Sequence, residues 1–476
     1  MVIKPYGFSI WENMQKILDF LFKKTGHQNA YFPLFIPKSF FTKEAKHVEW
    51  FATEAAIVTH YRLKNQDWEM IADPEAKLEE ELIVRPTSET IIWNTYKDWI
   101  TSYRDLPLLI NQRANVVRRE MRTRLFLRSA EFLWQEGHTA HATKQEAIDE
   151  TQKMWKVYQL FFEKILAISW VPGEKSEQER FAGAENTYTI ECMMQDGKAL
   201  QACTSHFLWQ NFGKAFDVSF TTKDNTQDFA WATSRWASTR MMWGLIMSHG
   251  DDQWLILPPM IAPIHVVIIP IWKTEEEKKQ VSTFIDQLIA DRDSKIIQID
   301  FMIDGKNHVY QRSLEYLIDW DDQKSMWWKQ NQYELQWVPI RIAIWPRDVS
   351  AWTIHIALRD QKEKLTMGIN QFNDQLIQLL YQMQNRLFEN TQSMREQHTV
   401  KVNTRSDFQQ ALDQWKFVLA HRDGTSETEK KIKEETKATI RCIPYDEAGN
   451  DLYPESWSCI LTWAPSDRRV LFAIAY

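Results

Sequence analysis

Apolar side chains recur at helical spacing in two long stretches of the first half of the chain. In WENMQKILDFLFKKTG, residues 11–26, apolar residues fall three and four apart and Gly26 follows them, which predicts an amphipathic helix closed by a glycine. In the second stretch, Thr143 and Glu146 have the spacing of a capping box and open a long predicted helix. The segment NAYFPLFIP lies between them, and its prolines suit an edge or interface strand.

The pattern changes after LPPMIAP, residues 257–263, which we interpret as a linker. HVVIIPIW is a continuous apolar run typical of a buried strand, and TEEEKKQVSTFIDQLIADRD predicts a capped helix. Further strands are predicted at IIQIDF, VPIRIAIW and TIHIALRD, so this part is expected to be a separate α/β domain. The stretch SLEYLIDWDDQKSMWWKQNQ leaves room for one more helix.

A third, small α/β unit is predicted to begin near residue 386. Helices are indicated around SDFQQALDQWK and SETEKKIKEETK, and short strands at ATIRCIP and RVLFAIAY. The sequence therefore predicts three domains, which cover residues 1–258, 259–385 and 386–476. A chain of 476 residues with 44% hydrophobic content is long enough to give each domain its own core.

One short segment of the first domain concentrates side chains that can carry chemistry. If VVRRE and EFLWQEGHT are strands, their alternation puts Arg118 and Glu120 on one face. The second strand places four more side chains on a common face: Phe132, Trp134, Glu136 and His138. A cation beside a carboxylate, opposite aromatic rings, suits a nucleotide, because guanidinium binds phosphate and a ring can stack on a base. The same spacing also fits an ordinary hairpin with solvent-exposed arginines and a half-buried aromatic face.

Composition and charge narrow the class of protein. No run of about 18 apolar residues occurs and the N-terminal segment lacks the order of a signal peptide, so we expect a cytoplasmic protein without a membrane partner. The net charge of −7 argues against a protein that coats nucleic acid through bulk charge, so any contact with RNA is expected to be local. The four cysteines form no CxxC pair and are expected to be buried thiols.

Glycine is scarce and tryptophan abundant in this chain. It has 13 glycines and 23 tryptophans, although glycine usually makes up about 7% of residues. Some tight turns are therefore expected to be made without glycine.

Any phosphate site in the first domain is expected to depend on arginines, since neither GxxxxGK[ST] nor GxGxxG occurs. The order Arg-x-Glu, a loop, and then Arg128, Phe132 and Glu136 resembles motif 2 of the class II aminoacyl-tRNA synthetases. The helix before Pro33 resembles motif 1, and Arg240 in TSRWASTR resembles the arginine that ends motif 3. This resemblance implies an antiparallel-sheet catalytic domain, a homodimer formed through motif 1, and the use of ATP with Mg²⁺.

Within this class the chain resembles the prolyl-tRNA synthetase family, of the type without an inserted editing domain. The segments that carry the resemblance are RPTSET, FLWQEGHTAH, FAGAENTYTIE, DGKALQACTSH, MSHGDD and VLFAIAY. The interval between motifs 2 and 3 is too short to hold an editing domain. The resemblance implies ATP-dependent activation of L-proline to prolyl-adenylate, followed by transfer to proline tRNA.

The resemblance also implies roles for individual residues. Arg118 would hold the α-phosphate of ATP, Glu120 the adenine amine and Phe132 the adenine face. Arg240 would hold the γ-phosphate, and Arg118 and Arg240 would be catalytic because charge builds on phosphoryl oxygens in this reaction. The other residues implied for ATP are Arg128, Gln201, Thr204 and Ser238. The proline pocket would consist of Thr87, Glu89, Trp134, Glu136, His138 and His206.

Other polar positions are expected to have structural roles or remain open. His141 and His249 are interpreted as structural histidines, and GHTAH lacks the spacing of a zinc-binding HExxH motif. The second domain resembles the anticodon-binding domain of the family, in which Arg347 of WPRD would contact a base or form an ordinary salt bridge. The third domain resembles a domain that often binds zinc. Its matching positions hold Asp423, Thr428, Cys459 and Thr462, so one thiol of four remains and no metal is expected.

Several positions depart from the family pattern. Arg235 and Trp236 stand where the family has the last two residues of SWG, and Cys203 gives ACTSH in place of AGTSH. Further tryptophans stand at expected glycines: Trp209, Trp254, Trp337, Trp345 and Trp463. An indole beside the nucleotide is expected to narrow the ATP site. Two alternatives therefore remain: a synthetase-like protein that binds tRNA or another partner with impaired activation, and an acid-activating enzyme that never uses tRNA, which the second domain disfavours.

Overall fold

The computed structural model describes residues 1–42, 55–446 and 449–476. Its first region contains the largest sheet and the helices packed on it. In chain order the elements are α1 (Pro5–Lys24), β1 (Gln28–Asn29), β2 (Phe35–Pro37), α2 (Lys38–Thr42), β3 (Ala56–His60), β4 (Leu63–Gln66), β5 (Glu69–Ala72), β6 (Lys77–Val84), α3 (Glu89–Trp99), β7 (Leu108–Val117), β8 (Glu131–His141), α4 (Lys144–Lys164), β9 (Val171–Glu174), β10 (Asn186–Met193), β11 (Ala199–Phe207), α5 (Asn211–Ala215), β12 (Ser219–Thr221), β13 (Gln227–Phe229), β14 (Trp231–Ser238) and α6 (Arg240–His249).

The largest sheet is antiparallel where it carries the predicted site. Its strands follow the order β1-β7-β8-β14-β11-β10-β9; β1 pairs with β7 in parallel and the later neighbours are antiparallel. Helix α4 packs on β10, β11 and β14, and α1 joins the same core through Trp11, Met14 and Phe22. The predicted antiparallel-sheet domain is therefore confirmed.

Capping residues mark the start of α4 and the end of α1, as the sequence predicts. The Glu146 amide donates to Thr143 Oγ1 at 3.2 Å, and the Glu146 carboxylate accepts from the Thr143 amide at 3.2 Å. This reciprocal pair satisfies two of the amides that every helix start leaves free. At the end of α1, Gly26 has φ +88°, a left-handed conformation that glycine adopts without steric cost.

The second region is the predicted α/β unit. Its elements are β15 (Val266–Pro270), α7 (Glu275–Leu288), β16 (Ile296–Ile303), β17 (Lys306–Ser313), β18 (Tyr316–Ile318), α8 (Met326–Leu335), β19 (Ile340–Ile344), α9 (Pro346–Ala351), β20 (Thr353–Leu358) and β21 (Lys364–Gly368). The sheet order β18-β15-β19-β20-β21 is parallel over its first three strands and antiparallel beyond them. Strands β16 and β17 pair with each other instead, and α8 is the extra helix that the sequence allowed.

The segment LPPMIAP is packed rather than exposed. Met260 and Ile261 are buried, in a short 3-10 turn over Pro259–Ile261. Arg312 donates to the carbonyls of Met260 at 3.1 Å and Ala262 at 2.7 Å. The predicted linker therefore fixes the second region against the first.

The third region shares the main sheet with the first. A long helix, α10 (Ile369–Gln397), leads into β22 (Thr399–Lys401), α11 (Arg405–Asp413), β23 (Phe417–His421), α12 (Ser426–Thr436), β24 (Thr439–Pro444), β25 (Trp457–Ser458), β26 (Pro465–Ser466) and β27 (Arg469–Ala473). Strand β24 pairs with β9, so one sheet of eleven strands runs through both regions. Gly173 permits this approach, since a Cβ there would lie 2.3 Å from the Ile443 carbonyl oxygen. The predicted division after residue 385 falls inside α10, and the domain boundaries stay predictions.

Three buried charged side chains join the first and third regions. Lys175 Nζ donates to Glu191 Oε1 at 2.6 Å and to the Arg441 carbonyl at 2.7 Å. The Arg441 guanidinium donates twice to Glu191 Oε2, at 3.0 and 2.9 Å. Burial alone would raise the pKa of Glu191, but Arg441 and Lys175 hold it below its usual range. The Glu191 carboxylate is thus paired with two cations at a position that water does not reach.

Arg235 is a buried cation that Glu150 stabilises electrostatically but without a hydrogen bond. It is 1% exposed, and its guanidinium carbon lies 5.0 Å from the ring centroid of Phe22. Its three side-chain nitrogens have no hydrogen-bond partner among the described residues. Burial lowers the pKa of Arg235, because a charge away from water is costly unless it is paired and hydrogen-bonded.

Tryptophan occupies backbone positions that favour glycine. Trp209, Trp337 and Trp463 have φ of 55°, 58° and 63°. Positive φ also occurs at three tryptophans that the sequence comparison did not single out: Trp68, Trp352 and Trp415. A left-handed conformation brings Cβ close to the carbonyl oxygen and costs an L-residue about 1–2 kcal/mol. Turns without glycine, as predicted, are present.

In the described part of the chain, no helix combines the length and the apolar character needed to cross a membrane.

Replacing Trp68, Trp415 and Trp463 together with glycine is expected to raise the melting temperature. Trp68 and Trp463 are 96% and 71% exposed and lose little buried area, whereas Trp415 is 43% exposed and loses more; relief of left-handed strain contributes roughly 1 kcal/mol at each of the three sites. Trp327→Gly is the matched control. Trp327 is 74% exposed but helical, and glycine there costs up to about 1 kcal/mol. A triple variant that melts below the parent in a thermal scan would contradict the prediction.

Arg235→Met is expected to stabilise the protein by roughly 1–3 kcal/mol, because it removes a buried charge and keeps an apolar stem of similar length. Arg441→Met makes the same exchange at a buried arginine that donates twice to Glu191. That variant is expected to lose about 3 kcal/mol, since Glu191 then keeps Lys175 as its one cationic partner within this network. Urea unfolding of both variants measures the difference; a loss of stability in Arg235→Met would disprove the interpretation.

Candidate active site

The sheet face turned away from α4 carries six of the predicted site residues. The alternate residues Gln135 and Ser205 face α4, where Tyr158 Oη donates to Gln135 Oε1 at 2.6 Å and Ser205 Oγ donates to the Thr151 carbonyl at 2.8 Å. Directly opposed residues of antiparallel strands project to the same side. The register pairs Trp134 with Ser238, Glu136 with Trp236 and His138 with Ser234, and on the other edge of β14 it pairs Trp236 with Thr204 and Ser234 with His206. Six predicted residues from three strands therefore share one face.

Three arginines from separate segments converge beside this face. Arg240 opens α6 directly after β14, Arg118 follows β7, and Arg128 lies in the loop between β7 and β8. Burial, followed by the charges of Arg128 and Arg118, lowers the pKa of Arg240 to about 10. The Nε of Arg240 has no hydrogen-bond partner in the described part of the structure. This concentration of positive charge suits a ligand with several negative charges, such as a nucleoside triphosphate.

The hairpin of β7 and β8 is confirmed, but its first strand is shorter than predicted. Strand β7 ends at Val117, and Arg118 adds one more ladder bond by donating its amide to the Ala130 carbonyl at 2.8 Å. Glu120 lies in the loop, where its Oε1 accepts from the Arg122 amide at 2.9 Å. The prediction that strand geometry extends through Glu120 is wrong, because the backbone turns as soon as the ladder ends.

Arg118 contacts the aromatic residues of β8. Its guanidinium carbon lies 5.5 Å from the ring centroid of Phe132 and 5.9 Å from that of Trp134. Its Nε donates to the Pro86 carbonyl at 2.9 Å, which fixes the direction of the side chain. Cation and ring are thus adjacent, as a site for a phosphate and a base requires.

The other two arginines are oriented by backbone carbonyls. Arg128 donates to the carbonyl of Tyr476 at 3.0 Å, which brings the C-terminal residue next to the motif 2 loop. Arg240 Nη1 donates to the Gln201 carbonyl at 3.2 Å, and its amide donates to Ser238 Oγ at 3.2 Å. Gln201 and Ser238 thereby lie beside Arg240, and their contacts with ATP stay predictions.

A hydrogen-bonded cluster holds Glu136 in the middle of the face. Ser88 Oγ donates to its Oε1 at 2.5 Å and Gln112 Nε2 to the same oxygen at 2.8 Å. His138 Nε2 lies 3.0 Å from Oε2. All four side chains are buried. The carboxylate is therefore fixed in position and presents acceptor lone pairs to a bound ammonium group.

His206 is held between two hydroxyl groups. Thr204 Oγ1 lies 2.9 Å from Nε2 and Thr187 Oγ1 lies 3.0 Å from Nδ1. The Phe181 ring lies against the imidazole, with centroids 4.6 Å apart. Burial, followed by the charge of His138, lowers the pKa of His206 to about 3. The ring is neutral at physiological pH and acts as a fixed donor and acceptor, not as a proton carrier.

Thr87 and Glu89 lie at the start of α3. The Thr87 hydroxyl donates to the Glu89 carboxylate, and both side chains are buried. Ser88 between them reaches Glu136, and Tyr96 of the same helix donates to the His138 carbonyl at 2.9 Å. The helix start is thus tied to β8.

Trp236 occupies the centre of the candidate face. It lies opposite Glu136 on one neighbouring strand and Thr204 on the other, and its ring centroid lies 5.4 Å from the guanidinium carbon of Arg240. The indole therefore takes up space between the Glu136 cluster and the arginines. Cys203 has the opposite direction: it pairs with Ala237, belongs to the hydrophobic core and is fully buried.

His141 and His249 are structural, as predicted. His141 Nε2 lies 2.7 Å from Thr139 Oγ1, and His249 Nε2 donates to the Leu166 carbonyl at 2.8 Å. Burial lowers both pKa values to about 4, so both rings are neutral.

Sequence reasoning missed three residues that position the site. Ser88 lay within the quoted segment RPTSET, but nothing marked it as a partner of Glu136. Gln112 gave no local signal, and Thr187 lay within the quoted segment FAGAENTYTIE without any mark that it pairs with His206. Cross-strand register alone brings them to Glu136 and His206.

Comparison with known proteins agrees with this geometry. Residues 70–249 match the family model described as the tRNA synthetase class II core domain (G, H, P, S and T), and residues 405–476 match the prolyl-tRNA synthetase C-terminal model. The chain is 55% identical to the proline–tRNA ligase of Porphyromonas gingivalis, with 100% of this chain and 92% of that protein covered. It is 54% identical to the proline–tRNA ligase of Cytophaga hutchinsonii, with 100% and 93% covered.

A solved structure gives the same result. The crystal structure of prolyl-tRNA synthetase from Cryptosporidium parvum, complexed with halofuginone and AMPPNP, superimposes with a TM-score of 0.85 at 32% identity, covering 100% of this chain and 90% of that one. The antiparallel face, its arginines and the three-region architecture together with these relatives show that the chain belongs to the prolyl-tRNA synthetase family of class II aminoacyl-tRNA synthetases.

Proposed function

We propose that this proline–tRNA ligase performs its first reaction on the face of β8, β14 and β11, with ATP along the three arginines and proline near Glu136. The carboxylate of L-proline attacks the α-phosphorus of ATP, pyrophosphate leaves, and the prolyl group is then transferred to proline tRNA. The observation that carries this assignment is the convergence of Arg118, Arg128 and Arg240 beside an aromatic face.

The arginines act by electrostatic stabilisation. Negative charge grows on the phosphoryl oxygens as pyrophosphate leaves, and guanidinium groups already fixed by backbone carbonyls stabilise it without rearranging. Arg118 would contact the α-phosphate and Arg240 the γ-phosphate. The remaining proposed ATP contacts are Glu120, Arg128, Phe132, Gln201, Thr204 and Ser238. No covalent enzyme intermediate is required.

Mg²⁺ would neutralise charge on the phosphates of bound ATP. No group of three or more histidine, cysteine, aspartate or glutamate side chains suited to a metal occurs among the described residues. Mg²⁺ is commonly held by substrate phosphates with one or two carboxylates and waters, which fits this arrangement.

The proposed proline pocket recognises a secondary ammonium beside a compact ring. Glu136 is oriented by Ser88 and Gln112, and Glu89 lies nearby at the start of α3, so acceptors surround the site. Trp134 and neutral His206 would enclose the ring. The full proposed set is Thr87, Glu89, Trp134, Glu136, His138 and His206.

The type without an inserted editing domain is supported by the segment between β8 and β14. Residues 142–230 form α4, α5, three strands of the main sheet and the small β12–β13 pair. This described segment is occupied by elements of the catalytic sheet and its covering helix. Editing of mischarged tRNA would have to occur elsewhere.

Proline tRNA would contact the second region as well as the active site. Arg347 of WPRD is exposed, lies over Trp345 at 5.4 Å and approaches Asp348 at 3.6 Å, so it is available for an anticodon base. A homodimer is supported by exposed apolar side chains that cluster in the first region: Tyr31, Phe35, Ile57, Tyr61 and Leu63. We place the enzyme in the cytoplasm, with its substrates.

The purified protein is expected to carry no structural zinc. Asp423 Oδ2 accepts from Thr428 Oγ1 at 2.7 Å and from Thr462 Oγ1 at 2.8 Å, so hydrogen bonds connect positions where a metal needs thiolates. Only Cys459 supplies a thiol there. Elemental analysis should find no zinc, and a chelator should leave the melting temperature unchanged. One zinc per chain would contradict this.

Pyrophosphate exchange into ATP is expected with proline and not with serine or leucine. Arg118→Ala should lower its rate by about 10²-fold or more, because a fixed donor to developing charge is lost. Arg119→Ala is the matched control, since Arg119 is exposed on the neighbouring position and has no proposed contact.

The two alternatives give different outcomes in the same assays. Exchange with proline but no charging of proline tRNA would indicate an acid-activating enzyme. Binding of tRNA without exchange would indicate a partner-binding protein, the alternative that Trp236 favours. Equal exchange with all three amino acids would disprove the assigned proline pocket.

A further inference from the structure

Tryptophan is concentrated at the backbone positions least suited to it. It makes up 23 of 476 residues, yet six of the 13 non-glycine residues with positive φ in the described part of the chain are tryptophans. Asparagine and aspartate, which tolerate this conformation, supply four: Asp67, Asp217, Asn225 and Asp304. A bulky residue with positive φ is a genuine outlier. Chance placement does not explain this distribution.

The turn between β4 and β5 shows what the backbone requires. Asp67 and Trp68 form its two-residue loop, with φ of 52° and 68°. Positive φ at both positions defines a type I′ hairpin turn, for which Asp-Gly is a preferred sequence. The Trp68 side chain is 96% exposed, so no packing gain compensates for the strain.

Among the described residues, four helix ends share one hydrogen-bond pattern; at the end of α5, Asp217 and Val218 donate to Lys214 and Gly213. After α1, the Gly26 amide donates to the Lys23 carbonyl and the next amide donates to Phe22. After α8, Trp337 and Val338 donate to Glu334 and Tyr333; after α11, Trp415 and Lys416 donate to Leu412 and Ala411. This is the Schellman motif, whose left-handed residue is usually glycine. The left-handed residue is glycine at one of these ends, aspartate at another, which tolerates the conformation, and tryptophan at the remaining two.

The composition shows the same exchange. A chain of this length would ordinarily hold about 33 glycines, and this one holds 13. The total of 23 tryptophans exceeds the deficit of roughly 20 glycines, which leaves room for a group of tryptophans that is not exchanged. A surplus of one residue type that matches the deficit of another indicates a substitution of one identity for the other.

We infer that, in the cell this gene comes from, the codon standing at these positions is read as glycine. The chain made there has glycine at residues 68, 209, 337, 352, 415 and 463, and also at 236 on the active-site face. Tryptophans buried in regular helices belong to a second group: Trp11, Trp93 and Trp155 fill the core, and their codon is read as tryptophan.

Glycine at position 236 would make the centre of the active-site face accessible to a ligand. Glycine at 236 removes the indole between Glu136 and Arg240 and exposes the β14 backbone to the nucleotide. The part of the inference that concerns activity rests on the proposed function; the part that concerns residue identity does not.

Residue identity is tested on protein isolated from the source cells. Tandem mass spectrometry of tryptic peptides should show glycine at 236, 337 and 415 and tryptophan at 11, 93 and 155. In the gene, the first group should share one triplet, such as UGA, and the second group should use UGG. Tryptophan at 337 and 415 in the native peptides, or one triplet for both groups, overturns the inference.

Function is tested on recombinant protein that has tryptophan at all 23 positions. Trp236→Gly should bind a non-hydrolysable ATP analogue at least about 5-fold more tightly by calorimetry, the lower end expected when an overpacked ring is removed. Trp254→Gly, a surface change outside the face, should leave affinity unchanged and serves as control. Equal affinity in Trp236→Gly and the parent would show that the indole is accommodated and remove position 236 from the glycine group. If the native peptides contain tryptophan and the enzyme still catalyses pyrophosphate exchange with proline, the proposed function is supported and only the inference about glycine is overturned.

Discussion

The register of β8 against β14 and β11 is the constraint on which the site depends. It places Glu136, Trp236 and Thr204 in one row and His138, Ser234 and His206 in the next. A slip of one residue would turn each strand over and send these side chains beneath α4. The register is secured from the other face, where Gln135 and Ser205 bond to α4. Packing on one side of the sheet therefore determines the chemistry on the other.

Buried charge has two contrasting uses in this protein. Glu191 with Lys175 and Arg441 forms a hydrogen-bonded network that joins the first and third regions, since each donor has an acceptor. Arg240, by contrast, is buried near other cations and keeps an unpartnered Nε among the described residues. Charge left without an internal partner at a ligand face is available to an anionic substrate. Arg235 neither joins two regions nor faces a ligand, because it is buried on the helix-covered side of the sheet, away from the ligand face.

The backbone has the positive φ that favours glycine even where the side chain is an indole. At Trp337 and Trp415 the paired hydrogen bonds of the Schellman motif hold the left-handed residue in place. Those hydrogen bonds join backbone groups at the helix end, so they form whatever the side chain is. The steric strain of the left-handed conformation is then confined to the tryptophan itself. Trp236 differs, because its strand conformation is ordinary and its cost is the space it occupies in the site.

Much of the molecule could be predicted from sequence because the signals are local. Capping residues fixed the starts of α4 and α7, apolar runs gave β15 and β19, and the motif 2 hairpin followed from alternation.

Local signals failed where a partner comes from far away. The packing of LPPMIAP, the continuation of the sheet from β9 into β24 and the support of Glu136 by Ser88 and Gln112 depend on contacts between distant segments. The sequence by itself determined which residues could bind a nucleotide and proline. Only the tertiary structure decided which of them meet, because cross-strand register and the direction of each side chain are properties of the assembled sheet.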